Sequence, residues 1–330
     1  MTYKFLGRTG VKVSALCFGT MSFGGDADEA ASAQLFKHCR DNGINFFDCA
    51  DLYAGGRSEE ILGRLIKGCR EQVIITSKVY FATGQDPNAM GASRLHIRYA
   101  VEGSLRRLGT DRIDLYFIHR FDDATPLEET LRALDDLVRQ GKVLYIGASN
   151  FAAWQVEKAL GISAREGLEA FACIQPMYNL VKRQAESEIL PMARAENLAV
   201  IPYSPLGGGL LTGKYGSGKK PASGRLVSHK IYATRYGDAQ AYEIADRFVE
   251  FARSRGFDPA SLAVAWVGGH PAVTAPIIGA RNVEQLRSSI ASVDIPMTPE
   301  LRAEISALSP EPPPATDRSE ERTSFHFGIR

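Results

Sequence analysis

Short runs of apolar residues, several rich in Val and Ile, alternate with helical stretches along this chain, and that alternation restricts its fold more than any other feature. The runs are Leu16–Gly19, Ile44–Phe47, Gln72–Ser77, Ile113–Ile118, Val143–Ala148, Ala172–Ile174, Ala199–Pro202 and Val273–Ile278. Runs of this kind suit strands buried on both faces, as in a parallel sheet. The segments between them carry helix signals. In Thr125–Gln140, Thr125 is placed to cap, Pro126 to take the first helical position and Glu128 to complete a capping box. Leu127, Leu131, Leu134 and Val138 then share a stripe, and Gly141 follows. Ala92–Leu108 sets Ile97, Val101, Leu105 and Leu108 on one face ahead of Gly109.

Eight such units leave two architectures, an open doubly wound sheet or a closed eightfold barrel. The open sheet calls for a G-x-G-x-x-G turn after the first strand. The glycine clusters Gly24-Gly25 and Gly207-Gly208-Gly209 lack that spacing. The expectation is an α/β protein with a (β/α)8 TIM barrel spanning residues 1–330 as one domain. Three additions are expected. An N-terminal β-hairpin, Tyr3–Arg8 and Val11–Ser14 around Thr9-Gly10, would close one end of the barrel. A long Gly-rich loop, Tyr203–Gly237, follows strand 7 and carries Lys214, Lys219, Lys220, Arg225, Lys230 and Arg235. An irregular C-terminal tail covers 308–330.

Composition narrows the function classes. The 330 residues hold 39 Lys and Arg against 38 Asp and Glu, a balance that argues against nucleic acid as the main partner and against a polybasic membrane anchor. Apolar runs stop far short of the ~18 residues of a membrane span, and Met1–Arg8 lacks a signal-peptide pattern, so a cytoplasmic protein is expected. Cys17, Cys39, Cys49, Cys69 and Cys173 form no C-x-x-C pair; reduced thiols are expected, with no metal site.

In a parallel barrel, reactive groups sit where strands end and βα loops begin. Reading just past each run gives Asp48 with Tyr53, Lys78, His119, Ser149-Asn150, Gln175 and Tyr203-Ser204. Each has an ordinary explanation when taken singly: a loop cap for Asp48, a packing aromatic for Tyr53, a surface charge for Lys78, a core histidine for His119. Together they make a chemical set. A phenol holds its proton at neutral pH, a neighbouring ammonium favours its phenolate, a carboxylate fixes that ammonium, and a neutral imidazole can donate to a carbonyl oxygen. Such a set suits carbonyl reduction, where charge develops on oxygen as hydride arrives at carbon, and it requires a cofactor as hydride donor.

Seven stretches carry a resemblance to a known family. They are Asn45-Phe-Phe-Asp48-Cys-Ala-Asp-Leu-Tyr53, Ile75-Thr-Ser-Lys78, Asp114-Leu-Tyr-Phe-Ile-His119, Gly141 to Asn150-Phe, Ile174-Gln175-Pro-Met-Tyr-Asn, Tyr203-Ser204-Pro-Leu-Gly and Pro276 to Gln285-Leu. Together they span nearly the whole chain. The sequence resembles the aldo-keto reductase superfamily, and within it the bacterial general-aldehyde reductases related to potassium-channel β subunits. The resemblance implies a barrel that binds NADPH without a Rossmann domain and reduces an aldehyde or ketone. Tyr53 would be the general acid, Lys78 held by Asp48 would depress its pKa, and His119 would orient the carbonyl. Ser149, Asn150 and Gln175 would hold the carboxamide of the nicotinamide, with Tyr203 stacked on its ring. Ser204, Leu206, Gly208 and Lys214 would line the pyrophosphate, with Arg225 covering it. Gly279, Arg281, Gln285 and Ser289 would hold the 2′-phosphate end. Gly19, Thr20, Met21, Asp48 and Pro205 complete the expected cofactor contacts.

Some of this follows from the residues themselves. Three consecutive glycines allow close backbone approach to phosphate. An arginine opening the last helix suits a 2′-phosphate better than a bare ribose, which favours NADPH. Met21, Phe23, Tyr80, Phe81, Arg120, Phe121 and Tyr178 are candidates for the substrate pocket, with Phe325–Arg330 folding over the mouth and Arg330 joining Arg120 toward an anionic substrate. Two other functions stay open: a cofactor-binding interaction subunit with little turnover, like the channel β subunits, and a Schiff-base lyase using Lys78 as nucleophile.

Overall fold

A computed structural model describes residues 1–219, 221–316 and 318. Eight short strands run parallel in one sheet: β3 (Cys17–Gly19), β4 (Phe46–Asp48), β5 (Ile74–Val79), β6 (Ile113–Ile118), β7 (Val143–Ser149), β8 (Cys173–Gln175), β9 (Ala199–Val200) and β10 (Ile277–Ile278). They lie in sequence order except that β10 pairs with β3. The remaining seam is closed by backbone hydrogen bonds. Val200 O accepts from Thr274 N at 2.8 Å, and Pro202 O accepts from Ile277 N at 2.9 Å. The result is a (β/α)8 barrel, as the alternation predicts.

Two apolar layers hold it together. Cys17, Phe46, Leu115, Phe117, Cys173, Ala199 and Ile277 fill the barrel interior, and Leu6 and Val13 join them from below. Those two side chains belong to the antiparallel hairpin β1 (Tyr3–Phe5) and β2 (Lys12–Ser14), which therefore plugs the N-terminal end. Space inside is tight enough to dictate a residue type. A Cβ on Gly147 would lie 2.5 Å from the Phe117 ring and 2.7 Å from Cys173 O. The outer layer lies between strands and helices, where Leu127, Leu131 and Leu134 of the predicted stripe are buried and Val138 is partly buried.

The helices that follow the first five barrel strands are α1 (Glu29–Asp41), α2 (Arg57–Ile66), α3 (Arg94–Leu108), α4 (Leu127–Arg139) and α5 (Ala153–Glu166). After these come α6 (Ile189–Ala195), the short α7 (Arg225–Ser228) and α8 (Lys230–Tyr236) in the long loop, α9 (Ala239–Ser254), α10 (Pro259–Gly268), α11 (Val283–Ile290) and α12 (Pro299–Ser306). Two helix starts differ from the sequence reading. Ser93, not Ala92, begins α3 by accepting from His96 N at 3.2 Å. The capping box at α4 does not form. Pro126 is the N-cap and has no side-chain cap bond, because the Thr125 hydroxyl donates to Asp122 at 2.7 Å instead. Asp122 is the stronger acceptor, and it also takes the backbone N–H groups of Ala92 and Ala124.

The tail begins as expected, without regular structure. Arg183 holds Ser309 O at 3.1 Å and Ser187 holds Pro313 O at 2.9 Å. The expected lid, Phe325–Arg330 with Arg330, lies outside the described residues. No helix among the described residues is long and apolar enough to cross a membrane.

Candidate active site

Four polar groups meet at the C-terminal mouth of the barrel. Asp48 ends β4 and Lys78 lies one residue before the end of β5, so both belong to the ladder rather than to the loops after it. Their apolar runs stop earlier because these side chains point into a polar site while the backbone pairing continues. Lys78 is fully buried and its Nζ donates to Asp48 Oδ2 at 2.7 Å, to Cys49 O at 2.7 Å and to the Tyr53 hydroxyl at 3.3 Å. The other carboxylate oxygen, Oδ1, accepts from Thr76 Oγ1 and Gln175 Nε2, each at 2.8 Å. A buried ion pair persists only when its remaining donors and acceptors are filled, and here they are.

Tyr53 sits at the start of a tight turn in which Ala54 and Gly55 both take positive φ, 49° and 64°. That turn sets its ring 5.0 Å from Lys78 Nζ and edge-on to His119, centroids 6.2 Å apart. The backbone of His119 is fixed by its N–H bond to Val79 O at 2.9 Å, and Phe81 packs against its ring at 5.0 Å. His119 Nδ1 is buried without a partner among the described residues.

The electrostatics follow from this geometry. Burial drives His119 well below the usual imidazole range and Lys78 adds to the effect, so the ring is neutral at pH 7. Burial pulls Lys78 down, but Asp48 and then Tyr53 more than compensate, so the ammonium is held above its ordinary value. At Tyr53, Lys78 lowers the pKa as the sequence led us to expect, but it does not win. Burial raises its pKa by more than Lys78 lowers it, so the phenol keeps its proton through the neutral range rather than losing it readily.

From this mouth a cleft of about 830 Å³ runs along the barrel rim. Of the residues singled out in the sequence, Gly19, Met21, Asp48, Tyr53, Phe81, His119, Arg120, Ser149, Asn150, Gln175, Tyr203, Ser204, Pro205, Leu206, Gly208, Lys214, Arg225, Gly279, Arg281 and Gln285 all line it. Lys78 lies beneath its floor. Asn150 links two walls: its amide donates to His119 O at 2.8 Å and its carbonyl accepts from Tyr203 at 2.7 Å. Gly207, Gly208 and Gly209 have φ of 57°, 68° and 97°, a backbone other residues rarely adopt. A Cβ on Gly208 would meet Tyr232 at 3.0 Å.

Other expected residues are placed elsewhere. Thr20 is buried, with its hydroxyl bonded to Asp48 O and Ser58. Ser289 is buried in α11 with its hydroxyl unpartnered among the described residues, and Ser288 faces the cleft in its place. Of the substrate-pocket candidates, Phe23 and Tyr178 are fully buried, Tyr80 packs on Phe81, and Phe121 packs on Phe151 and Trp154. Sequence reading missed Tyr232 and named Arg235 only as a charge of the long loop; both close the cleft from α8. Arg235 stacks over Tyr203 and Tyr232, and the Tyr232 hydroxyl meets Met21 Sδ at 3.8 Å. Their three-residue spacing was a usable signal for one helical face.

Behind Tyr53 lies a buried acid. Both carboxyl oxygens of Asp51 are without a hydrogen-bond partner among the described residues. Burial, then Glu59, push its pKa up to about 7. The folded value exceeds the unfolded one, so the protein gains stability from this proton at low pH and loses it as pH rises toward 7. Between pH 5.5 and 8 that loss is about 2 kcal/mol. Thermal unfolding across this range should show a decline that Asp51→Asn flattens.

A family model described as "Aldo/keto reductase family" matches residues 15–310. The chain belongs to that family. Among its relatives, it is 40% identical to the uncharacterized oxidoreductase YrpG of Bacillus subtilis over 94% of this chain and 97% of that protein. It is 38% identical to a probable voltage-gated potassium channel subunit beta of Oryza sativa, over 96% and 99% of the two chains. It is 35% identical to versiconal hemiacetal acetate reductase of Aspergillus parasiticus, over 91% and 94%. Membership in this family and the oxidoreductase names support carbonyl reduction in general, with a nicotinamide dinucleotide as the cofactor the family binds.

Proposed function

We propose that this aldo/keto reductase reduces an aldehyde or ketone to an alcohol with NADPH, using Tyr53 as general acid. The observation that carries the reading is the Asp48–Lys78–Tyr53 chain of contacts ending beside a neutral His119. The rest of the cleft suits a dinucleotide. Lys214, Arg225 and Arg235 line it without an ion pair among the described residues, and the left-handed Gly208 and Gly209 line it with them. Cations without an ion pair among the described residues, beside a glycine backbone that lines the cleft, suit a pyrophosphate. The reduced nicotinamide, when bound, supplies hydride to the carbonyl carbon.

The chain's own groups handle the oxygen. His119 orients the carbonyl, and Tyr53 gives its proton to that oxygen as charge builds there. Lys78 stabilises the phenolate left behind, and Asp48 keeps Lys78 charged and in place. Full burial and the ion pair, which holds the ammonium above its ordinary value, favour this role of Lys78 over that of a Schiff-base nucleophile. Because Tyr53 holds its proton well above neutral pH, reduction should be flat from pH 6 to 9, whereas alcohol oxidation should climb with pH beyond that range. A reduction rate that falls across pH 6–9 would show that Lys78 outweighs burial at Tyr53, and a rate unmoved by Tyr53→Phe would contradict Tyr53 as the acid.

Arg281 supports NADPH over NADH, with a qualification built into the site. Its Nε lies 3.2 Å from Asp26 Oδ2, and both side chains are about one-third exposed (35% and 34%). A 2′-phosphate would have to share this arginine with a carboxylate. Asp26→Asn should therefore tighten NADPH by a few-fold and leave NADH little changed, as read by fluorescence titration of each nucleotide; exposed pairs of this kind contribute about 0.2–1 kcal/mol. A regulatory-subunit reading draws on the rice relative. It predicts nucleotide binding without turnover across an aldehyde panel, the opposite of what an intact acid set implies.

A further inference from the structure

One cation at the reactive end of the cleft has no part in the reaction described above. Arg120 follows His119, whose backbone is tied to β5, so it leaves β6 at the rim and lines the cleft. Its sequence neighbours are engaged elsewhere. Phe121 packs on Phe151 and Trp154, while Asp122 takes the N–H groups of Ala92 and Ala124 and the Thr125 hydroxyl. The carboxylates lining the cleft are Asp48 and Asp258. Asp48 is committed to Lys78, Thr76 and Gln175, and Asp258 caps α10 through Ser261 N at 2.8 Å. Arg120 has no ion pair among the described residues. Around the same mouth, Met21, Leu52 and Phe81 give apolar walls.

A planar guanidinium with no ion pair among the described residues, beside apolar walls and a carbonyl-reducing set, matches a particular kind of molecule. We propose that the physiological substrate is an aldehyde or ketone bearing a carboxylate, which Arg120 binds while the substrate's aromatic or alkyl body rests on Met21, Leu52 and Phe81. This rests on the carbonyl-reductase reading and names its substrate class. Arg120 is exposed at the rim, and arginine favours carboxylates because two parallel N–H donors match two oxygens.

The test compares 4-carboxybenzaldehyde with its neutral methyl ester, methyl 4-formylbenzoate, using NADPH. Wild type should favour the acid by roughly tenfold in kcat/KM, carried mainly by KM, the effect of a charge-assisted hydrogen bond. In Arg120→Gln that ratio should fall toward one, and Arg120→Lys should restore part of it. Terephthalate, which cannot be reduced, gives a separate readout: calorimetric titration should show it binding the NADP-loaded protein about tenfold more weakly in Arg120→Gln. An unchanged substrate ratio together with unchanged terephthalate affinity in Arg120→Gln would overturn the proposal. Arg120-dependent terephthalate binding without turnover of either aldehyde would overturn the reductase reading and leave the carboxylate site standing.

Discussion

Tyr53→Phe should lower kcat for aldehyde reduction by about a thousandfold, the scale of a lost general acid, while NADPH affinity stays within about twofold. The two halves of that result come from different parts of the site. The hydroxyl is the only polar atom removed, and it lies 3.3 Å from Lys78 Nζ, at the end of the contact chain. The residues proposed to hold the nucleotide lie along Ser149 to Gln175, the glycine turn and Arg281, and the ring itself remains to pack against His119. The check is steady-state kinetics on one good aldehyde alongside a fluorescence titration with NADPH. Loss of binding together with loss of rate would mean that Tyr53 shapes the cleft rather than delivering a proton.

Lys78→Met is expected to be costly in two ways at once. It leaves Asp48 in a site where it is 2% exposed, still accepting from Thr76 and Gln175 but without its counter-ion. Removing one member of a buried pair costs about 3–5 kcal/mol, which for a chain of this size lowers Tm by roughly 4–7 °C. Activity should fall at least as far as in Tyr53→Phe, because the phenolate formed in the reaction loses the charge that stabilises it. Asp48→Asn separates the two effects. It preserves hydrogen bonding to Thr76 and removes the support for the ammonium, so the lysine should titrate at lower pH and reduction should lose its flat pH profile. Differential scanning calorimetry and pH–rate profiles on both variants check this. A Lys78→Met protein with wild-type Tm would show that the pair carries little of the core's stability.

The barrel was legible because eight buried strands leave eight apolar runs, and because absence of a dinucleotide-type glycine turn removes the competing architecture. The reactive four were legible because polar side chains interrupt those runs at their ends. What could not be read is equally specific. Strand boundaries shifted at Asp48 and Lys78, since side-chain polarity marks the site while backbone pairing marks the strand. Ser288 and Ser289 are adjacent on one helix, and only packing decides that one faces the cleft and the other the core. Tyr178 looked like a mouth residue, but it is bonded to Glu186 and Arg302 and packed against Trp266. The net effect of burial on Tyr53 was also out of reach, because the sequence names the neighbouring charge but not the depth of the pocket.

Carbonyl reduction at this site requires direct delivery of hydride to a carbonyl beside Tyr53. The most direct measurement mixes the purified protein with 4-nitrobenzaldehyde and NADPH carrying deuterium at both positions of nicotinamide C4, then analyses the alcohol by mass spectrometry. The expected product is the benzylic alcohol with one deuterium on its carbinol carbon and one NADPH consumed per alcohol formed. Alcohol without deuterium, or bound NADPH left unconsumed by a wide range of aldehydes and ketones, would contradict it.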